Sequence, residues 1–213
     1  SSQGATGALA FIPQQSFAIG SLMAGFGVPD QSNFIGSGGG GALASTSGTP
    51  FFHFVVTPMS AAASILLSCN STSYTSGGVY FRSLSFQWGS TSFSNDTCIY
   101  AAMWNVRAIR STFTDCPLAF YALGAGCALE QCTINYTVSQ STGPNGTKAV
   151  ILGGQQCAVV GPGIFSQASQ ASPSNGATGC TGISVEGATH AVIGDMQLYE
   201  WTTGIDFSQS AGA

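Results

Sequence analysis

The sequence predicts an all-β fold: a parallel β-helix, a solenoid of stacked coils whose longer loops are inserted at one corner. Two observations carry that prediction. Four octets repeat one apolar pattern: VRAIRSTF (106–113), CALEQCTI (127–134), CAVVGPGI (157–164) and AVIGDMQL (191–198). A second short apolar strand precedes each octet at a nearly fixed offset. A third observation removes the alternatives. Gly, Ser, Thr, Asn and Gln interrupt every hydrophobic run, so no segment has helical periodicity or the length of a membrane span.

Taken in chain order, residues 1–77 are expected to form entry coils. Their glycine-rich stretch GSGGGG (36–41) contains G-x-G-x-x-G, but GALASTSGTP follows, which is no helix. A dinucleotide site needs a helix there, so close packing at a tight corner explains these glycines better. From residue 78 the coils become regular. The octet VYFRSLSF (79–86) places Val79, Phe81, Leu84 and Phe86 at positions 1, 3, 6 and 8, the small or apolar positions of the repeat. Strands starting at Ile99, Phe120 and Val150 precede the octets at 106, 127 and 157 by seven residues, and the strand at Ile183 precedes the octet at 191 by eight. A further strand begins at Ile205. Alternation with period two makes these turns β, and a near-constant offset with variable length elsewhere is the mark of a solenoid. Position 5 (Ser83, Arg110, Gln131, Gly161, Asp195) is expected to point outward, while position 6 (Ser111, Cys132, Pro162, Met196) and position 8 (Phe113, Ile134, Ile164, Leu198) point inward. Cys127 and Cys157 are then one interior position in successive coils, occupied by small buried hydrophobes.

Composition narrows the function. The chain has 213 residues, enough for one domain over 1–213, and only 6% are charged. Four basic residues against eight acids, net charge -4, leave no basic patch for nucleic acid. Seven cysteines, an odd number, leave at least one free or paired between chains; the coil spacing permits a disulfide without requiring it. There is no CxxC, and His53 and His190 stand far apart in sequence, so no metal and no cofactor is expected. No GxSxG elbow occurs, and His190 reads as a corner residue. Four N-x-S/T triplets occur, at Asn70, Asn95, Asn135 and Asn145, and keep a secreted protein in view.

Several segments carry a likeness. FIPQQSFAIGSL (11–22), VPDQSNFIGSGGGGALAST (28–46) and GVYFRSLSFQW (78–88) are similar to the entry coil, second coil and following coil of the right-handed parallel β-helix proteins of the pectate-lyase-like superfamily. The chain resembles above all their phage tailspike-like branch. Gln15 and Ser83 stand where that branch more often has Gly and Asn. Its usual upstream segment is absent before Ser1, and IDFSQSAGA starts a coil at Ile205 and stops. The natural chain is therefore expected to continue past Ala213, or a partner chain to cover that end.

The resemblance implies polysaccharide as the partner, a homotrimer, a place on the virion tail or outside the cell, and depolymerisation as an activity still open. From the residues, Ile183 is expected over Ile205 and Ser184 over Asp206, so Glu186 and Asp206 share an outer face about 8 Å apart. Inverting glycosidases hold their carboxylates roughly 6.5–9.5 Å apart, which makes Glu186 and Asp206 the candidate catalytic pair. Tyr100 and Tyr121 continue the column as candidate glycan-binding residues, whose ring faces suit sugars. None of Arg82, Arg107, Arg110 and Lys148 is expected in that column, which disfavours a calcium-dependent lyase, and Arg107 and Arg110 with Glu130 read as a surface ion-pair cluster. Two other functions stay open: a secreted polysaccharide hydrolase or lyase, and a structural fibre or adhesin without catalysis.

Overall fold

The computed structural model describes residues 9–12, 16–20, 26–27, 33–36, 52–57, 65–69, 78–88, 97–136, 148–167, 181–199 and 201–207. These residues form nineteen strands and no helix: β1 (Leu9–Ile12), β2 (Ser16–Gly20), β3 (Phe26–Gly27), β4 (Asn33–Gly36), β5 (Phe52–Thr57), β6 (Ile65–Cys69), β7 (Val79–Arg82), β8 (Leu84–Trp88), β9 (Thr97–Ala101), β10 (Val106–Ile109), β11 (Thr112–Thr114), β12 (Leu118–Ala122), β13 (Ala128–Glu130), β14 (Thr133–Tyr136), β15 (Lys148–Leu152), β16 (Ala158–Gln167), β17 (Thr181–Val185), β18 (Val192–Tyr199) and β19 (Thr203–Asp206). The inserts at 137–147 and 168–180, the glycine run after Gly36, Cys180 and the triplets at Asn70, Asn95 and Asn145 lie outside the described residues.

The strands pair in parallel, each with its counterpart one pass of the chain away. One sheet runs β3-β6-β9-β12-β15-β17-β19. The other has two limbs, β1-β4-β7-β10-β13 and β2-β5-β8-β11-β14, which meet in the ten-residue strand β16, with β18 pairing β16 beyond them. Neither sheet closes into a barrel, and the arrangement is compatible with a parallel β-solenoid. Each rung adds about 4.8 Å along the stack.

The interior is built of ladders. Phe81, Ala108, Leu129 and Val159 follow one another through adjacent strands. Ile99, Phe120, Val150 and Ile183 do the same on the opposite sheet, all with no exposed surface. Phe86 stacks on Phe113 with ring centroids 5.2 Å apart and planes 12° from parallel. Cys127 and Cys157 are buried at the predicted interior position, and each thiol donates to a carbonyl of the preceding pass, Cys127 to Met103 at 3.3 Å and Cys157 to Gly124 at 3.4 Å. Ser111, fully buried at position 6, is satisfied on both counts: its hydroxyl accepts from Leu84 N–H and donates to the Ile109 carbonyl. The six described cysteines are all free thiols.

Position 5 has a sharper meaning than outward. Ser83, Arg110, Gln131 and Asp195 have φ between 50° and 55°, so each is a left-handed corner that bends the chain between two strands. A second such column, Gly78, Asn105, Gly126 and Gln156, precedes position 1 of successive octets. Such corners turn the chain while keeping the interior positions in line.

Three details depart from the repeat as written. In the octet 157–164 the strand carries one extra residue between Val160 and Gly163, so Gly163 and Phe165, rather than Pro162 and Ile164, take the interior places opposite Met196 and Leu198. A Cβ on Gly161 would lie 1.6 Å from the Asp195 carbonyl oxygen, so only glycine allows this bulge to pack. The strands placed at 99, 120, 150, 183 and 205 begin two residues earlier, at Thr97, Leu118, Lys148, Thr181 and Thr203. Burial also falls off at the last described pass, where Val192 and Ile205 are exposed.

Candidate functional site

The outer face of the seven-stranded sheet carries one column of outward residues. Ser68, Tyr100, Tyr121, Ile151, Ser184 and Asp206 are successive ladder partners. The predicted register of Ile183 with Ile205 and of Ser184 with Asp206 is the one observed. The column exists because each strand points one inward residue, Ile99, Phe120, Val150 or Ile183, into the core, and its neighbour must then face out.

Tyr100 and Tyr121 meet edge to face, with centroids 5.6 Å apart and planes at 78°. That geometry fixes both rings and leaves two differently oriented surfaces on one column. Two passes further on, Glu186 stands just beyond the end of β17. Its Oε1 accepts from the Ser184 hydroxyl at 2.9 Å and forms an ion pair with Lys148 Nζ. Both charged side chains are about one-quarter exposed, so the pair is only partly screened by water. The tyrosines and the ion pair form one electrostatic unit. Burial pushes the Tyr121 hydroxyl above its ordinary pKa, the negative charge of Glu186 and the neighbouring Tyr100 push it further, and Lys148 opposes them.

None of the four basic residues has a ladder place in this column, but the side chain of Lys148 reaches it from the start of β15. Lys148 is in register with Thr181, five residues before Glu186. Its side chain must therefore lie along the strand to reach the carboxylate. The sequence pattern missed it because Lys148 sits at the edge of an insert and reads as loop, whereas β15 starts with it. Counting back two residues from Val150, as at Thr97 and Leu118, is the signal that finds it.

Of the four predicted site residues, Tyr100 and Tyr121 touch each other, and Glu186 is electrostatically coupled to Tyr121. Asp206 lies one rung beyond Ser184, partly buried. Asp206 faces Ser184 in the ladder, whereas Glu186 stands past the end of β17 with its hydrogen bonds running to Lys148 and Ser184. Among the described residues no group of three or more His, Cys, Asp or Glu side chains could hold a metal ion. His190 is exposed on a bend before β18, with no left-handed φ.

The cluster offers two aromatic surfaces and a partly exposed carboxylate that can accept hydrogen bonds from a polyol, anchored by an ammonium and by the hydroxyl of Ser184, which is itself fully buried. Comparison with known proteins gives no guide: no family model, no curated protein and no solved structure matches this chain.

Proposed function

We propose that the chain is a right-handed parallel β-helix of the pectate-lyase-like superfamily, in its phage tailspike-like branch, and that it binds a bacterial surface polysaccharide along the outer face of the seven-stranded sheet. The observation that carries this reading is the tyrosine pair set on the same face as the partly exposed Lys148–Glu186 ion pair. A sugar chain suits such a face because its C–H surfaces pack on rings and its hydroxyls exchange bonds with carboxylates. A homotrimeric assembly and a place on the virion tail or outside the cell belong to the same proposal, supported by the sequence likeness alone.

Cleavage of that polysaccharide by Glu186 and Asp206 is the second reading, favoured by the register that puts Asp206 opposite Ser184. Against it weighs the double engagement of Glu186, since a general acid must be free to protonate a leaving oxygen.

A panel of bacterial surface polysaccharides tests both readings. Tyr121→Ala is expected to weaken binding of the recognised polysaccharide by about tenfold, the loss of one stacking surface. Sugar release abolished by Glu186→Gln or Asp206→Asn would establish cleavage at this pair, and release untouched by both would remove it. Binding without release identifies a non-catalytic fibre or adhesin. Binding indifferent to Tyr121→Ala would move the glycan site off this face.

A further inference from the structure

The chain has only four basic residues, yet three of them line one groove on a different face. Arg82 ends β7, Arg107 lies in β10, and Arg110 is the left-handed corner that follows it. They border an open groove of about 930 Å³ floored by outward residues of β7, β10, β13 and β16. Composition speaks against a basic patch for nucleic acid, but an average over the chain hides where stacking places the few basic residues.

Among the described residues the charge in this groove is not neutralised. Arg107 donates through Nη1 to Glu130 at 2.6 Å and through Nε to Asn105 Oδ1 at 2.8 Å, and Asn105 in turn donates to the Tyr80 hydroxyl at 2.7 Å. Among the described residues the Arg110 guanidinium meets a neutral partner, Gln131 Oε1 at 2.8 Å. Arg82 lies over the Tyr80 ring, 5.4 Å from its centroid. Neither Arg82 nor Arg110 belongs to an ion pair among the described residues. Three guanidiniums thus face one carboxylate, in a protein whose net charge is -4. The electropositive stretch is bounded along the stack by Asp195, the next acid on the corner column.

We infer that this groove is a second binding site, for a carboxylate-bearing glycan chain. Guanidiniums present planar forks that match carboxylates, and the network Tyr80–Asn105–Arg107–Glu130 holds one fork in place before any ligand arrives. The floor offers Ala128 and Ala158, flat and small enough for sugar rings to lie close, with Gln131 and Gln156 at the rim to meet hydroxyls. The groove crosses four strands, an extent of about 15 Å, which suits a chain of several residues rather than a single ion. A peptide adding itself as a strand needs a sheet edge, and here the ligand meets a sheet face. Single-stranded nucleic acid needs bare aromatic platforms, and the one ring in the groove is covered by Arg82. The choice of a glycan rests on the proposed function, whereas the demand for an anion rests on the arginines alone.

Isothermal titration of the full chain with oligogalacturonate, a neutral dextran and oligouridylate, each at low and high salt, tests the site. Oligogalacturonate is expected to bind, more weakly as salt rises, with dextran silent in this groove. The Arg82→Gln, Arg110→Gln double variant changes two exposed side chains and should lower the affinity at least about tenfold. Glu130→Gln, which removes the one carboxylate, should raise it. Tyr121→Ala should leave oligogalacturonate binding unchanged, so failure here and failure of the tyrosine face are read separately. No oligogalacturonate binding at low salt, an affinity indifferent to the double variant, or tighter binding of oligouridylate would each overturn the inference.

Discussion

The two outer faces of the molecule are made of the same parts and differ in charge balance. On the seven-stranded sheet, Lys148 is matched by Glu186, and two tyrosines pack against each other. Across β7, β10, β13 and β16, Glu130 matches Arg107 alone, and the tyrosine there serves as the floor for Arg82. On the first face the one ammonium is matched by a carboxylate, and the tyrosines can hold a neutral ligand by stacking and hydrogen bonds. The second keeps an excess of positive charge and can hold an acidic one. Both ion pairs are partly exposed, Arg107–Glu130 more so than Lys148–Glu186. Neither is there chiefly for stability, since pairs of this kind contribute about 0–1 kcal/mol. What sets the faces apart is which charges are left over, and that is a property of stacking.

The largest expected effect erases the comparison. Both faces stand on one core, and Phe113, fully buried and stacked on Phe86, is part of it. Phe113→Ala should destabilise the fold by about 3–5 kcal/mol, read as a lower urea midpoint, and both binding activities should be lost together. Loss of one activity alone would mean the faces are supported independently.

A second effect separates the core from both faces. Burial pushes the thiols of Cys127 and Cys132 up to about 12 from an ordinary 9.0. In the unfolded chain these thiols ionise near 9, while in the folded protein they stay protonated until about 12. Their contribution to stability is thus complete below pH 9 and is lost as pH rises from there towards 12. The urea midpoint should fall across that interval, and the fall should shrink in the Cys127→Ala, Cys132→Ala variant. A midpoint flat to pH 11 would contradict this account of the buried thiols.

The smallest effect sharpens the comparison to single charges. Glu186→Gln should bring the Tyr121 pKa back down towards its ordinary value, because the carboxylate that opposes tyrosinate is gone, and Lys148→Met should send it further up. Glu130→Gln, on the other face, should leave Tyr121 where it is. Ultraviolet titration of the tyrosinate band, assigned by a Tyr121→Phe control, distinguishes these outcomes. Equal shifts from both carboxylate changes would mean the faces are electrically coupled through the core.

Much of this was legible in the residues. Period-two alternation and the seven-residue offset located the strands, the shared interior place of Cys127 and Cys157, and the column that joins Tyr100, Tyr121 and Asp206. The slip at Gly161–Gly163 was hidden, because an extra residue inside a bulge changes register without breaking the apolar pattern that surrounds it. Ile164 therefore reads as the inward residue, a place that Phe165 takes.

The sequence by itself determined the strands, their repeat and their inward faces, because alternation is a local property that each strand writes in its own residues. Only the tertiary structure decided that Lys148 reaches Glu186 across 38 positions, and that Arg82, Arg107 and Arg110 open onto one groove. The reason is geometric. Rungs about 4.8 Å apart bring distant segments within the reach of a long side chain, and the direction in which that side chain leans is set by its neighbours on the next rung.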